Sequence, residues 1–214
     1  MSDMRKGYSL VEILVALVIF SFMAVALSGV FATANRFFAH QYREDVFKTR
    51  FVTAVKFIQN KMMTANEVLI PAPNRLSDYI TFLSNVAVNP SSTNQICRPA
   101  TALPSMWHYV CRDNGNRLFY HSGDLTISNC PTYTTIWLSN PPTACGSGSN
   151  PVFLSDNISS LVFSRQNLPS NVVRVNMTLF SRAPGSQTSF AGTVGRDITQ
   201  TFETYISINK VSQF

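Results

Sequence analysis

The first 96 residues contain no cysteine and the first 70 no proline. No disulfide can brace the N-terminal third, and no proline ring interrupts a helix there. Charge is also scarce: Asp, Glu, Lys and Arg together make up 13% of the 214 residues, against 16 phenylalanines. A chain with so much apolar material and so little charge builds a core, which excludes a disordered tail. The formal net charge is +6, but no basic block exists. Arg36, Arg43, Lys48 and Arg50 are interleaved with Glu44 and Asp45, so nucleic acid stays an open partner class without a dedicated patch. No G-x-S-x-G and no phosphate-binding glycine loop occurs, and His40, His108 and His121 have no metal-ligand spacing. No enzyme, no metal and no cofactor is expected on these grounds.

Between Ile13 and Ala34 there is no charged residue at all. As a helix rising ~1.5 Å per residue, that run extends about 33 Å, the hydrocarbon thickness of a bilayer. One membrane span is expected. Arg5 and Lys6 precede it, which favours a cytoplasmic N-terminus and an external C-terminal part. Glu12 at the start of the run is the anomaly, because an acid at the centre of a span costs roughly 2.5 to 3.5 kcal/mol, less near the interface. It argues against a plain anchor, and equally against a secretory signal peptide cut after Ala24-Val25-Ala26.

The stretch from Gly7 through Tyr8-Ser9-Leu10-Val11-Glu12-Ile13-Leu14-Val15-Ala16-Leu17, preceded by the short leader MSDMRKG, resembles the class III signal of type IV prepilins and pseudopilins. The resemblance implies that a prepilin peptidase cuts between Gly7 and Tyr8 and methylates the new amine on Tyr8. It implies, too, that Glu12 pairs with the N-terminal amine of a neighbouring subunit in a filament. The implied partners are other pilin or pseudopilin subunits, an inner-membrane assembly platform, and the lipid bilayer before assembly. Gly29 stands where many members of the family have a helix-bending proline; it is either a weak point of the helix or simply a small residue in a membrane helix.

The helical pattern outlasts the apolar run. Phe47, Phe51, Val55, Ile58, Met62 and Ala65 recur at steps of three and four, which predicts a core-facing stripe and one helix from about Tyr8 to Val68, stopped by the prolines after Ile70. Beyond Pro71, short segments rich in β-branched and aromatic residues alternate with Pro, Ser, Asn and Gly. DYITFL, MWHYVC, NRLFYHS, YTTIWLS, ISSLVFSR, VVRVNMTLFS and QTFETYISIN read as antiparallel strands. Asn114-Gly115 predicts a hairpin turn between two of them. ICRPATALPS and SNPPTACGSGSNP read as loops. The order at the C-terminal end, a strand, a Leu-Pro link and two more strands, is similar to the larger minor pilins and pseudopilins.

The expected fold is therefore α+β and pilin-like, a long N-terminal helix packed on a C-terminal antiparallel sheet. Its expected divisions are a leader at 1–7, a membrane and filament-core helix at 8–35, the amphipathic half of that helix at 36–70, and an extracytoplasmic sheet domain at 71–214. Cys97, Cys111, Cys130 and Cys145 form no C-x-x-C pair, and outside the cytoplasm an even count favours two disulfides. Of three connectivities, sequence proximity favours Cys97 with Cys111 and Cys130 with Cys145. The resemblance implies a minor pilin or minor pseudopilin acting in filament assembly. The alternatives are a pseudopilin of a type II secretion system, or a membrane-anchored or tip subunit that adheres or binds DNA.

Overall fold

The computed structural model describes residues 9–101, 103–136, 143–148, 150–165, 172–181 and 197–208. The chain divides into two units, Met1–Phe47 and Lys48–Phe214.

In the first unit, alanine, leucine and other apolar residues propagate the helix α1 (Leu10–Met63), which continues unbroken through Gly29. Three hydroxyls interrupt the apolar run, and each bonds back to the preceding turn. Ser21 donates to the Leu17 carbonyl at 2.7 Å, Ser28 to Val25 at 2.7 Å and Thr33 to Gly29 at 2.9 Å. Their polar atoms are thereby satisfied without water, as a segment suited to an apolar medium requires. The apolar side chains themselves are exposed from Ile13 through Ala32.

In the second unit, α1 becomes amphipathic: Phe51, Val55, Ile58 and Met62 are buried, as their spacing predicts. The helix ends at Met63, not at Val68. Thr64 donates both its amide and its hydroxyl to the Lys61 carbonyl, closing the last turn, and Ala65–Ile70 then forms strand β1. Helical spacing alone could not distinguish these residues, because Ala65 and Val68 are buried in the strand as they would be in a helix. What decides the matter is pairing: β1 runs antiparallel to β3 (Tyr79–Ser84).

Three antiparallel sheets follow. A five-stranded sheet has the order β1, β3, β6 (Met106–Arg112), β7 (Leu118–Asp124) and β9 (Val152–Ser155). A four-stranded sheet has the order β12 (Ile198–Ser207), β11 (Val172–Ser181), β10 (Ile158–Arg165) and β2 (Leu76–Ser77). The third and smallest contains β4 (Ala87–Asn89), β5 (Ser92–Cys97) and β8 (Thr134–Thr135). Val173, Val175, Met177 and Leu179 alternate inward along β11 as expected of a half-buried strand. The helix touches both larger sheets. Phe57 meets Tyr120 of β7 edge to face at 5.1 Å, and Phe51 stacks on Phe202 of β12 at 4.4 Å. Arg50 adds an ion pair to Asp156.

Several expectations need correction. ICRPATALPS is not wholly loop, since Ile96 and Cys97 belong to β5, where Ile96 packs with Leu83 and Val86. The hairpin between β6 and β7 forms, but the left-handed residue is Asn116, at φ 60°. The loop is thus a turn closed by a bond from the Asn116 amide to the Asp113 carbonyl, followed by one αL residue. The Asp113 carboxylate braces it by accepting from the Arg117 amide at 2.8 Å and the Arg117 Nε at 2.9 Å. Of YTTIWLS, Thr134–Thr135 forms the short strand β8, while its last three residues and the Leu-Pro link lie outside the described residues.

The cysteine pairing also differs. Disulfides join Cys97 to Cys130 and Cys111 to Cys145, not neighbours in sequence. Cys97 ends a strand of the small sheet while Cys111 lies in the five-stranded sheet, so the two face different partners. Arg98 forms a parallel bridge with Asn129, and the Cys130 amide donates to the Arg98 carbonyl at 3.0 Å, which brings Cys130 to Cys97. With sequence separations of 33 and 34, each closes a loop worth about 4 kcal/mol in the chain-entropy account.

Candidate functional site

The acid singled out by the sequence sits in a defined local structure. Ser9 precedes the first helical residue, and its hydroxyl accepts from the Val11 amide at 3.2 Å. Glu12, three residues on, reaches back so that Oε2 accepts from the Ser9 amide at 2.9 Å. Ser9-Leu10-Val11-Glu12 is therefore a capping box, which satisfies amides that the first helical turn leaves without partners. The carboxylate also lies at the positive end of the helix dipole. Around it, Leu10, Val11, Ile13, Leu14 and Val15 are all exposed. The S-x-x-E spacing was legible in the sequence and is a second reason for an acid at this position, beside any partner in another chain. Gly7 and Tyr8 lie outside the described residues.

Residues 3–28 match the family model of the prokaryotic N-terminal methylation motif. The chain carries the class III prepilin signal of type IV pilins and pseudopilins. That signal implies processing by prepilin peptidase, assembly with other pilin subunits, and a structural subunit rather than an enzyme. The long apolar helix that follows fits a single-pass membrane anchor, and the helix with its antiparallel sheets is consistent with an α+β pilin fold. No curated protein and no solved structure matches the chain.

Away from the pilin signal, the polar chemistry of the second unit gathers around two buried histidines, His108 and His121. His108 Nε2 is 2.8 Å from the Ser84 hydroxyl and Nδ1 is 2.6 Å from the Tyr120 hydroxyl. Its ring stacks on Phe82 at 4.8 Å. Burial, with the nearby Lys61 ammonium second, lowers its pKa to about 4. A serine beside an imidazole is the start of a nucleophilic site, but a base this weak has little tendency to take up the serine proton at neutral pH, and a phenol stands where a carboxylate would orient it. The arrangement is a neutral polar cross-link between β3, β6 and β7. Burial likewise raises the Tyr109 hydroxyl to about 12, helped by Tyr79 and Asp78.

His121 lies on the same face of the five-stranded sheet as Cys111, since Cys111 pairs with Phe119 and Tyr109 with His121. Its Nε2 accepts from the Gly146 amide at 3.1 Å. Cys111, His121 and Cys145 have their sulfur and nitrogen atoms within 4.8 Å of one another. Spacing along the chain gives no sign of this cluster; it is the pairing of β6 with β7 that brings His121 beside Cys111.

Proposed function

We propose that the chain is a minor type IV pilin or minor pseudopilin, incorporated through its N-terminal helix into a filament or the complex that initiates one. Cleavage between Gly7 and Tyr8 removes the leader, residues 1–7, and creates a methylated amine on Tyr8. Residues 8–35 hold the subunit in the inner membrane and then enter the filament core, where burial against neighbouring helices replaces burial in lipid. The rest of the helix joins this segment to an extracytoplasmic sheet domain that makes lateral or tip contacts. The length of that domain favours a minor subunit, because major pilins are usually smaller.

The observation that carries this reading is the placement of Glu12 inside the matched signal. After cleavage, an amine would stand four residues before a carboxylate, and both would lie at the end of an apolar helix. In a helix bundle of low dielectric the two attract strongly between subunits, and either would be costly alone. Because amine and acid sit at fixed positions in every copy, the contact is head-to-tail and repeats along a filament. The capping box gives the carboxylate a partner in the free subunit, so transfer to a neighbour's amine exchanges one bond for a stronger one.

Intact-mass measurement of the chain purified from membranes containing a prepilin peptidase tests it. The expected mass is that of a chain beginning at methylated Tyr8. Cleavage after Ala26, or an unprocessed chain, overturns the reading.

A further inference from the structure

The tip of the hairpin between β6 and β7 joins two sheets. The Asn116 carbonyl accepts from the Ile158 amide of β10 at 2.8 Å. Arg112 Nη1 donates to the Asn116 side-chain oxygen at 2.8 Å and to the Ser159 carbonyl at 2.9 Å. Within this tip Asn114 and Gly115 are exposed, and together they form the dipeptide in which asparagine reacts most readily with its own backbone. The reason is steric: the nitrogen of the next residue must reach the side-chain amide carbon, and glycine has no Cβ to obstruct it. The turn does not need Gly115 for its backbone angles, since the left-handed residue is Asn116. It needs the space, because a Cβ on Gly115 would stand 3.3 Å from both Arg117 Nε and Asp113 Oδ1.

A carboxylate is set directly against this reactive pair. Half-buried Asp113 accepts from the Gly115 amide as well as from the Arg117 amide at 2.8 Å and the Arg117 Nε at 2.9 Å. Burial alone would raise its pKa, but the bonds from Arg117 and Gly115 hold it below the usual carboxylate value. At neutral pH it is therefore an anion with little tendency to take up a proton. The attacking species is the deprotonated Gly115 nitrogen. Its proton is held in a charge-assisted hydrogen bond, and a second negative charge developing beside the carboxylate is disfavoured.

We propose that Asn114 is a self-modification site, converted to aspartate and isoaspartate through a cyclic imide with Gly115, and that Asp113 is the latch that sets the rate. The Gly115 nitrogen forms a bond to Asn114 Cγ, its proton passes through solvent to the departing nitrogen, and the Cγ–NH2 bond breaks to release ammonia. Water then opens the ring. Breaking the bond at Cγ gives aspartate, and breaking the bond at the Asn114 backbone carbonyl carbon gives isoaspartate; nothing is oxidised or reduced. Either product puts a second carboxylate next to Asp113. Isoaspartate also adds a methylene to the backbone between Asp113 and Asn116, whose amide-to-carbonyl bond closes the turn. The joint to Ile158 and Ser159 loosens as a result.

The test follows the full chain in detergent at neutral pH and reads deamidation at residue 114 by peptide mass mapping, with an isoaspartate methyltransferase to score the product. The free peptide RDNGNR, which has the same residues without the fold, is the reference. The folded wild type is expected to react at least tenfold more slowly than the peptide. Asp113→Ala, with its near-UV circular dichroism kept, should recover at least tenfold in rate. Asp113→Asn retains an acceptor for the Gly115 amide without the charge and should fall between the two. In both variants Gly115 amide exchange should quicken in step with the reaction, while the Asn116 amide, bonded to the backbone of residue 113, keeps its protection. A wild-type chain that reacts as fast as the peptide overturns the proposal, and so does an unchanged rate in folded Asp113→Ala. Should that variant not fold, Asp113→Asn carries the test on the same terms. Ageing the wild-type chain to its modified form should quicken exchange of the Ile158 amide, and an unchanged Ile158 overturns the loosening of the joint.

Discussion

Phe20 and Phe22 are 70% and 74% exposed, whereas Ile58 and Met62, further along the same helix, are wholly buried. The residue types are alike and the backbone conformation is the same. In the second unit the helix has partners within the chain: the Phe51, Val55, Ile58 and Met62 face is packed, and aromatic contacts tie it to two sheets. The first unit instead satisfies its hydroxyls within the helix, caps its own start through Ser9 and Glu12, and leaves its apolar surface open. The difference teaches that one helix can be stabilised in two ways, by its own domain or by a surrounding medium. In the pilin reading, that medium is first lipid and then the helices of neighbouring subunits.

The largest effects should come from breaking the first unit's link to other molecules. Gly7→Leu is expected to abolish leader removal, read as retention of residues 1–7 in the intact mass. Glu12→Ala should reduce incorporation into filaments by at least tenfold, measured by immunoblotting of sheared filaments against membranes. The melting transition of the external domain should not move in either variant. Normal incorporation of the Glu12 variant would remove the pairing assigned to it and leave the acid as a helix cap alone.

The second unit should fail in the opposite manner. Ile58→Ala leaves a cavity between helix and sheets and is expected to cost about 2 to 5 kcal/mol in denaturant unfolding. Processing at Gly7 should be untouched. A comparable truncation in the first unit, Phe22→Ala, should leave the same unfolding transition in place. If both changes destabilise the domain equally, the contrast between the two units is wrong.

How far each unit was legible follows from this contrast. The apolar helix of the first unit is legible from local pattern, since an uncharged run and a methylation motif need no tertiary information. The strands of the larger sheets, such as ISSLVFSR and VVRVNMTLFS, were also legible, because alternation survives wherever one face is buried. Pairing across the fold was not. Ala65 and Val68 fit a helical stripe until β3 supplies them with a ladder. The Cys97 and Cys111 pairing looked natural until their strands fell in different sheets. His121 came to Cys111 only through the register of β6 with β7. The capping box is the exception, because the S-x-x-E spacing of Ser9 and Glu12 announces it locally.

A smaller effect separates the units by pH. His108 is neutral in the fold because burial and, secondarily, Lys61 disfavour its charge; Ser84, Tyr120 and Phe82 are its other close neighbours. Its pKa falls from 6.5 to about 4, so the unfolded chain binds more protons between these values. Stability from this site is complete above about pH 6.5 and is lost as pH falls towards 4, by up to about 3 kcal/mol. Urea titrations across that window should show the decline in the wild type, a flatter profile in His108→Gln, and a shallower slope in Lys61→Met. An unchanged slope in His108→Gln would assign the acid sensitivity to other groups.

The smallest expected effect tests whether the first helix needs a weak point. A Cβ at Gly29 would meet nothing within 4 Å, and α1 continues through that position with the Gly29 carbonyl accepting from Thr33. Gly29→Ala should therefore add about 1 kcal/mol of helix stability, seen as roughly fivefold slower amide exchange around residue 29 in detergent. Filament incorporation should stay at the wild-type level, because a small residue that packs against nothing can accept a methyl group. Loss of incorporation with the same slowing of exchange would mean that the helix must loosen at Gly29, or that a neighbouring subunit approaches its backbone too closely for a side chain. Gly29→Leu separates these outcomes: a requirement for loosening penalises Ala and Leu alike, whereas close approach penalises Leu far more.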